Sequence, residues 1–230
     1  LINSTENLAV VKREIKITSD GSHTLYVPKL DEHYHSIHGA IQESMHVFIT
    51  NGIQSLFKSP IKVLEVGFGT GLNALLTAIW SKKENIEVHY IGIESTPLEM
   101  KLNESLNYSQ ELDGHESTTY FDKIISSNWH IKTNIHDNFT LNKIASRIQD
   151  YRTDDKFDII YFDAFGPEVQ EELWELRVLK NIYELLNNNG IFVTYCAKGQ
   201  LKRDLKELGF KVESLPGPPG KREMTRAVKF

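Results

Sequence analysis

The chain has 230 residues, with 26 Lys and Arg against 31 Asp and Glu, a net charge of −5 and a 40% share of hydrophobic residues. That balance suits one globular domain able to bury its own core, and excludes a disordered or fibrous chain. No apolar stretch approaches the ~20 residues that cross a bilayer, and no basic-then-apolar signal segment is expected at the start. The lone cysteine, Cys196, excludes an internal disulfide and a cysteine-based metal site, and fits a reducing cytoplasm.

Residues 14–27 predict two short strands around the turn pair Asp20-Gly21. Residues 38–58 place Ile41, Met45, Phe48, Ile49, Ile53, Leu56 and Phe57 at helical spacing, interrupted by Gly52. From residue 61 the rhythm changes to strand–helix alternation. Strands are expected at 61–66, 88–93, 139–144, 157–162, 191–196, 210–215 and 223–230. Helices are expected at 71–83, 97–108, 169–187 and 199–208, and residues 110–138 read as polar and irregular. This alternation implies a mostly parallel sheet covered on both faces, an α/β fold. The division expected is an N-terminal β/helical extension, 1–58, packed on a core domain, 59–230. Pro216-Gly217-Pro218-Pro219-Gly220 is a stiff turn rather than a linker.

Three strand ends carry chemistry. The first is L-E-V-G-F-G-T-G-L-N, residues 64–73, between a strand and a helix. Gly67, Gly69 and Gly71 allow a sharp turn and close approach of a ligand to backbone, and the helix start offers free N–H groups. A dinucleotide fingerprint would need glycine where Leu72 stands, and a phosphate loop would need Gly-Lys-Ser/Thr. Glu65, two residues before the first glycine, gives the loop its methyltransferase form, and Asn73 opens the helix behind it. The second end is I-G-I-E, residues 91–94. Glu94, 23 residues after Gly71, sits where a carboxylate can accept both hydroxyls of a ribose. The third is Y-F-D-A-F-G-P, residues 161–167, where Asp163 can accept a hydrogen bond from a substrate amine and the aromatic Phe165 with its Gly-Pro turn belongs at a site lip. Bland readings stand beside these: a tight turn, a helix-capping Glu and a turn-capping Asp.

Two clusters are less specific. D-E-H-Y-H-S-I-H, residues 31–38, has three His in six positions, but no spaced Cys or second His pair supports a metal, and a substrate-facing loop is the preferred reading. Lys221 and Arg222 follow the proline turn and suit either a phosphate clamp or plain solvation. Residues 196–230 hold nine Lys/Arg against four acids, a local +5 that leaves −10 on the rest. Such a patch can meet phosphates locally.

With these residues in view, the chain resembles the methyltransferase half of the MnmC-type tRNA 5-methylaminomethyl-2-thiouridine biosynthesis proteins and their single-domain MnmD-type relatives. The likeness spans about residues 18–230. It rests on T-S-D-G-S-H-T-L-Y (18–26), Y-H-S-I-H-G-A-I-Q-E-S-M-H-V-F (34–48), the glycine loop, Y-F-D-A-F-G-P (161–167), Y-C-A-K-G (195–199) and L-P-G-P-P-G-K-R-E-M (215–224). The resemblance implies a class I, Rossmann-like, seven-stranded sheet of order 3-2-1-4-5-7-6. It implies S-adenosylmethionine as cofactor, held by Glu65, Gly67, Gly69, Gly71, Asn73 and Glu94, with Asp163 as the catalytic acid. It implies N-methylation of the 5-aminomethyl group of (2-thio)uridine at the tRNA wobble position, with the anticodon arm as partner and no metal. Tyr34, His35, Ser36, Phe165, Lys198, Lys221 and Arg222 are the substrate-side candidates. One departure is that Arg147 stands where relatives often carry an adenine-facing Asp, with Asp150 as a substitute. A flavin-dependent oxidase domain follows in bifunctional relatives and is not expected in this chain. The rival readings are a small-molecule amine methyltransferase, an aminopropyltransferase-like enzyme, whose loop usually reads G-G-G-D-G, and a non-catalytic nucleotide- or RNA-binding scaffold.

Overall fold

The computed structural model describes residues 12–112 and 114–230; residues 1–11 of the expected extension lie outside that range. Strands β1 (Glu14–Ile17), β2 (His23–Val27) and β3 (Glu32–His33) form a small antiparallel sheet. Helix α1 (Ala40–Ser44) widens into a π-helical stretch, Met45–Thr50, and ends in a 3-10 turn, Ile53–Ser55. There follow β4 (Ile61–Val66), α2 (Leu72–Glu84), β5 (Val88–Glu94), α3 (Met100–Glu104), α4 (Tyr108–Glu111), α5 (His115–Ser126), β6 (Thr133–His136) and β7 (Phe139–Ala145). The chain continues through β8 (Phe157–Phe162), α6 (Leu176–Leu185), β9 (Leu186–Thr194), α7 (Gly199–Glu207), β10 (Phe210–Pro216) and β11 (Glu223–Lys229).

The large sheet runs β10-β11-β9-β8-β4-β5-β7-β6. Read from β7, this is the expected order 3-2-1-4-5-7-6, with β6 added antiparallel at the outer edge of β7 as an eighth strand. The five strands β7, β5, β4, β8 and β9 are mutually parallel. Burial on both faces explains their near-continuous apolar sequences, and β8, FDIIYF, is buried at all six positions. The period-2 alternation then assigns sides. Val63, Ile159 and Tyr161 join the core under α2 and α5, whereas Leu64, Ile160 and Phe162 join the core under α6 and α7. Leu25, Ala40, Val47, Phe48, Ile49 and Ile53 belong to the first of these cores, so the extension shares the hydrophobic interior of the main domain rather than owning one.

Helix α2 starts at Gly71, whose φ of 79° is left-handed, and stops at left-handed Asn85, with Lys82 and Lys83 in its last turn facing the negative end of the helix dipole. The helix expected over 97–108 is cut into α3 and α4. Asn107 between them is engaged elsewhere: its Oδ1 accepts from His23 N (2.7 Å) and its Nδ2 donates to Gly21 O (2.9 Å), tying the β1–β2 turn to this segment. The stretch 110–138, expected to be irregular, contains α5 and β6. Helix α5 is rich in Ser, Thr and charge, yet Ser117, Tyr120, Phe121 and Ile124 form a narrow buried stripe at helical spacing. Helix α6 covers only part of 169–187, because the preceding loop turns at Trp174, whose Nε1 donates to Phe165 O (2.8 Å).

Candidate active site

The carboxyl ends of β4, β5, β7 and β8 open onto one cavity of about 640 Å³, roofed by residues of the N-terminal extension. An open α/β sheet places ligands at this end. At β4 the chain turns through Gly67, with φ of 88°. A Cβ there would run into the Asp163 carbonyl oxygen, because Asp163 N donates to Val66 O (2.9 Å) and holds the β8 end against the loop. A Cβ on Gly69 would meet the ring of Tyr34 at 3.2 Å. Glycine is therefore demanded by both dihedral and close approach.

At β5, the Glu94 carboxylate accepts from Gly69 N (3.0 Å) and Thr96 N (2.8 Å), which clamps the glycine loop to the neighbouring strand end. Burial raises its pKa above the usual carboxylate value, opposed by those backbone donors. At β8, burial and the nearby charge of Glu43 push Asp163 from 3.8 up to about 7. Asn73 on α2 donates through Nδ2 to Asp163 Oδ2 (2.8 Å) and to Glu65 Oε1 (2.8 Å). Glu65 is fully buried. Desolvation and then the charge of Asp163 raise its pKa well above the usual carboxylate value. It acts on the cavity through Asn73 rather than by lining it.

Tyr34 and Phe165 meet edge to face at 5.2 Å between ring centroids, and both line the cavity. The Tyr34 hydroxyl accepts from Arg13 Nε (3.1 Å). His35 also reaches the cavity wall, but it is buried against Tyr108, and desolvation pulls its pKa down to about 4, so it is a neutral wedge. Ser36 N donates to Glu43 Oε2 (2.7 Å). The other oxygen of Glu43, a buried carboxylate on α1, pairs with Lys221, whose ammonium lies 3.9 Å from the centroid of the Tyr195 ring. The turn carrying Lys221 is fixed by Gly217 N donating to Arg222 O (3.1 Å) and by His46 Nε2 hydrogen-bonded to Pro216 O (2.8 Å).

Of the residues singled out from the sequence, Tyr34, His35, Ser36, Gly67, Gly69, Asn73, Glu94, Asp163, Phe165 and Lys221 line this cavity; Glu65 and Gly71 do not. Gly71 instead packs against Ile124 and Phe68 as the helix start. Lys198 and Arg222 line a smaller adjoining cavity of about 450 Å³ that shares Tyr195 and Lys221 with the first. Lys198 is ion-paired with Glu168, and Arg222 is exposed. Arg147 lines the main cavity and Asp150 does not. Sequence reasoning missed Glu43, Gln149 and Tyr195. Glu43 sits inside the quoted 34–48 stretch, and only its burial beside Lys221 marks it. Among the described residues no group of three or more His, Cys, Asp or Glu is placed to hold a metal ion, and no helix is long and apolar enough to cross a membrane.

A family model described as S-adenosyl-L-methionine-dependent methyltransferase matches residues 114–230, just over half of the chain. The chain belongs to this family. Its similarity to individual proteins is more extended. It is 27% identical to the tRNA 5-methylaminomethyl-2-thiouridine biosynthesis bifunctional protein MnmC of Pseudoalteromonas atlantica, over 96% of this chain and 34% of that protein. It is 29% identical to the protein of the same name from Leptospira borgpetersenii, over 85% of this chain and 32% of that one. The chain thus spans about a third of the length of these curated relatives. The crystal structure of MnmC2 from Aquifex aeolicus superposes with a TM-score of 0.74 and 27% identity, covering 96% of this chain and 71% of that one.

The residues present fit the family's cofactor, S-adenosylmethionine. The glycine loop forms a cradle that side chains would fill, Glu94 stands at the second strand end, and buried polar atoms of Asn73 (Oδ1) and Gln149 (both amide atoms) lack any partner among the described residues. Buried polar groups without partners are rare unless a ligand or ion completes them.

Proposed function

We propose that this methyltransferase N-methylates the 5-aminomethyl group of (2-thio)uridine at the wobble position of tRNA. The observation that carries the reading is the Asp163 carboxylate, buried at the β8 end and facing the same cavity as the Tyr34–Phe165 ring pair. A carboxylate beside aromatic faces suits an amine carried on a flipped base, since unstacked loop bases are commonly held by stacking. The names of the relatives supply the nucleoside.

S-adenosylmethionine supplies an electrophilic sulfonium methyl when bound. The chain's own groups do the rest. Asp163 accepts a hydrogen bond from the amine N–H and holds its lone pair on line, largely a positioning effect. With a pKa near 7 it can take the proton that the nitrogen sheds. Asn73 fixes the carboxylate by donating to Oδ2, and Glu94 and Gly69 set the cofactor cradle. Tyr34 and Phe165 orient the base.

One observation favours a second reading, a small free amine as acceptor. Lys198 and Lys221, both candidates for gripping phosphate, are already paired with Glu168 and Glu43. Labelled cofactor offered with tRNA that accumulates the aminomethyl group, beside tRNA from cells unable to make it, separates the two. Label entering only the first supports the proposal. Equal labelling of both, or labelling of a free amine alone, refutes it and leaves the family assignment standing.

A further inference from the structure

We propose that the side-chain amide of Gln149 is the group that reads the adenine edge of the cofactor in this chain. The inference rests on family membership and not on the identity of the methyl acceptor. Gln149 lies in the turn after β7, at the strand end next to Glu94. The two strands are in register with Glu94 opposite Ala145, and Ser146 N donates to Glu94 O (3.0 Å). A ribose held at Glu94 therefore has its base within reach of this turn, where Ile93 and Ile148 also line the cavity and offer apolar surface to a ring.

The turn leaves few side chains able to recognise that base. Part of its backbone is engaged internally: Asp150 N and Tyr151 N donate to Arg147 O (3.0 and 3.1 Å), and Gln149 O accepts from Arg152 Nη1 (2.7 Å). Ser146 Oγ donates to Arg147 O (3.1 Å). Arg147 is 59% exposed, and a guanidinium only donates, so it cannot accept from a 6-amino group. Asp150 could accept, but its side chain is 66% exposed, it lies outside the cavity, and it faces Arg147 at 3.9 Å. Gln149 is different. Both Nε2 and Oε1 are buried, and neither has a partner among the described residues. An amide so placed wants an acceptor and a donor side by side. Adenine presents that pair, the 6-amino group beside a ring nitrogen. An amide can bond A-type base edges in two places at once, as Gln does in nucleic-acid recognition.

The test is a cycle between residue and ligand on the full chain. S-adenosylhomocysteine and its analogue with hydrogen in place of the 6-amino group are titrated calorimetrically into wild type, Gln149→Ala, Gln149→Met and Asp150→Ala. Wild type should lose about tenfold in affinity when the amino group is removed. In both Gln149 variants S-adenosylhomocysteine should bind about tenfold more weakly, and the two ligands should bind alike. Asp150→Ala should keep the wild-type difference. The Met variant preserves side-chain length, and an unchanged unfolding midpoint shows that the turn is intact. A full difference retained in both Gln149 variants, or one lost in Asp150→Ala, overturns the proposal. Wild-type protein that binds neither ligand overturns the cofactor fit itself, a separate and recognisable failure.

Discussion

Replacing Asp163 by Asn removes a charge at almost constant shape, and the structure says what that should do to stability as well as to turnover. The folded protein holds this carboxyl at about 7 instead of 3.8, with burial as the largest cause. The raised value means that the native state keeps a proton the unfolded state gives up. Stability is therefore full below 3.8, falls as pH rises from there through 7, and is level above. At 1.36 kcal/mol per pKa unit, ionised Asp163 costs the fold at most about 4 kcal/mol at pH 8 and about 2 kcal/mol at pH 5. The amide in Asp163→Asn would carry no such cost and can still accept from Asn73 through its carbonyl. The variant should gain about 2 kcal/mol more over wild type at pH 8 than at pH 5, roughly 4–8 °C in Tm for a domain of this size. Turnover should fall by about two to four powers of ten, because an amide cannot take the amine's proton. The wild-type rate should have an acid limb near pH 7 that the variant lacks. Thermal unfolding across pH 5–8 and a labelled-methyl assay measure both. A variant whose stability follows pH as wild type does, or which turns over near normally, would refute the placement of this carboxyl.

The remaining expectations concern the cradle and the rim. In Glu94→Gln one amide face must point its N–H₂ at the Gly69 or Thr96 N–H, so cofactor affinity should drop about tenfold to a hundredfold by calorimetry; equal affinity would remove Glu94 from the site. Gly67→Ala places a Cβ against the Asp163 carbonyl at a left-handed φ, and should cost about 1–3 kcal/mol in denaturant titration. Lys221→Ala leaves buried Glu43 unpaired and should lower stability by about 1–3 kcal/mol. Arg222→Ala, at an exposed position, should leave Tm unchanged yet flatten the salt dependence of tRNA binding; the reverse pattern would mean that Lys221 is the phosphate contact.

What could be read from the sequence was what depends on local chain geometry. Short, largely apolar runs such as Phe157–Phe162, too short for a helix and rich in aromatic and branched residues, read as buried strands, and a left-handed turn at Gly67, Gly69 and Gly71 shows itself in the residue type. Glu94 and Asp163 were legible because each ends such a strand. Helix α5 was not, because its buried stripe of Ser117, Tyr120, Phe121 and Ile124 is thin and its first five residues are polar. The added strand β6 was hidden for a related reason: TNIH holds only one fully buried side chain, Ile135. Glu43 and Tyr195 lie inside quoted stretches and Gln149 in none, but nothing in their residue type marks any of the three as a site residue. Their importance comes from partners far away in sequence, or from having none. The same holds for Lys221, where a base in a turn reads as solvent-facing until the carboxylate of Glu43, 178 positions earlier, is seen beside it.

Strand β11 lies between β10 and β9, although it follows both in sequence. During translation, a chain that has emitted β9 and β10 has nothing to join them. The outer edge of β9 shows bare N–H and C=O groups, and β10 has no sheet to rest on until β11 slides between them. The turn ahead of β11 brings in Lys221, so the pocket's last wall arrives with the strand that seals the sheet. An interrupted or slowly made chain would thus hold a sticky edge and an unfinished pocket together, the sort of intermediate that aggregates or recruits chaperones. Cofactor-binding competence should accordingly appear only once β11 has emerged, together with protease resistance of the β9–β11 unit.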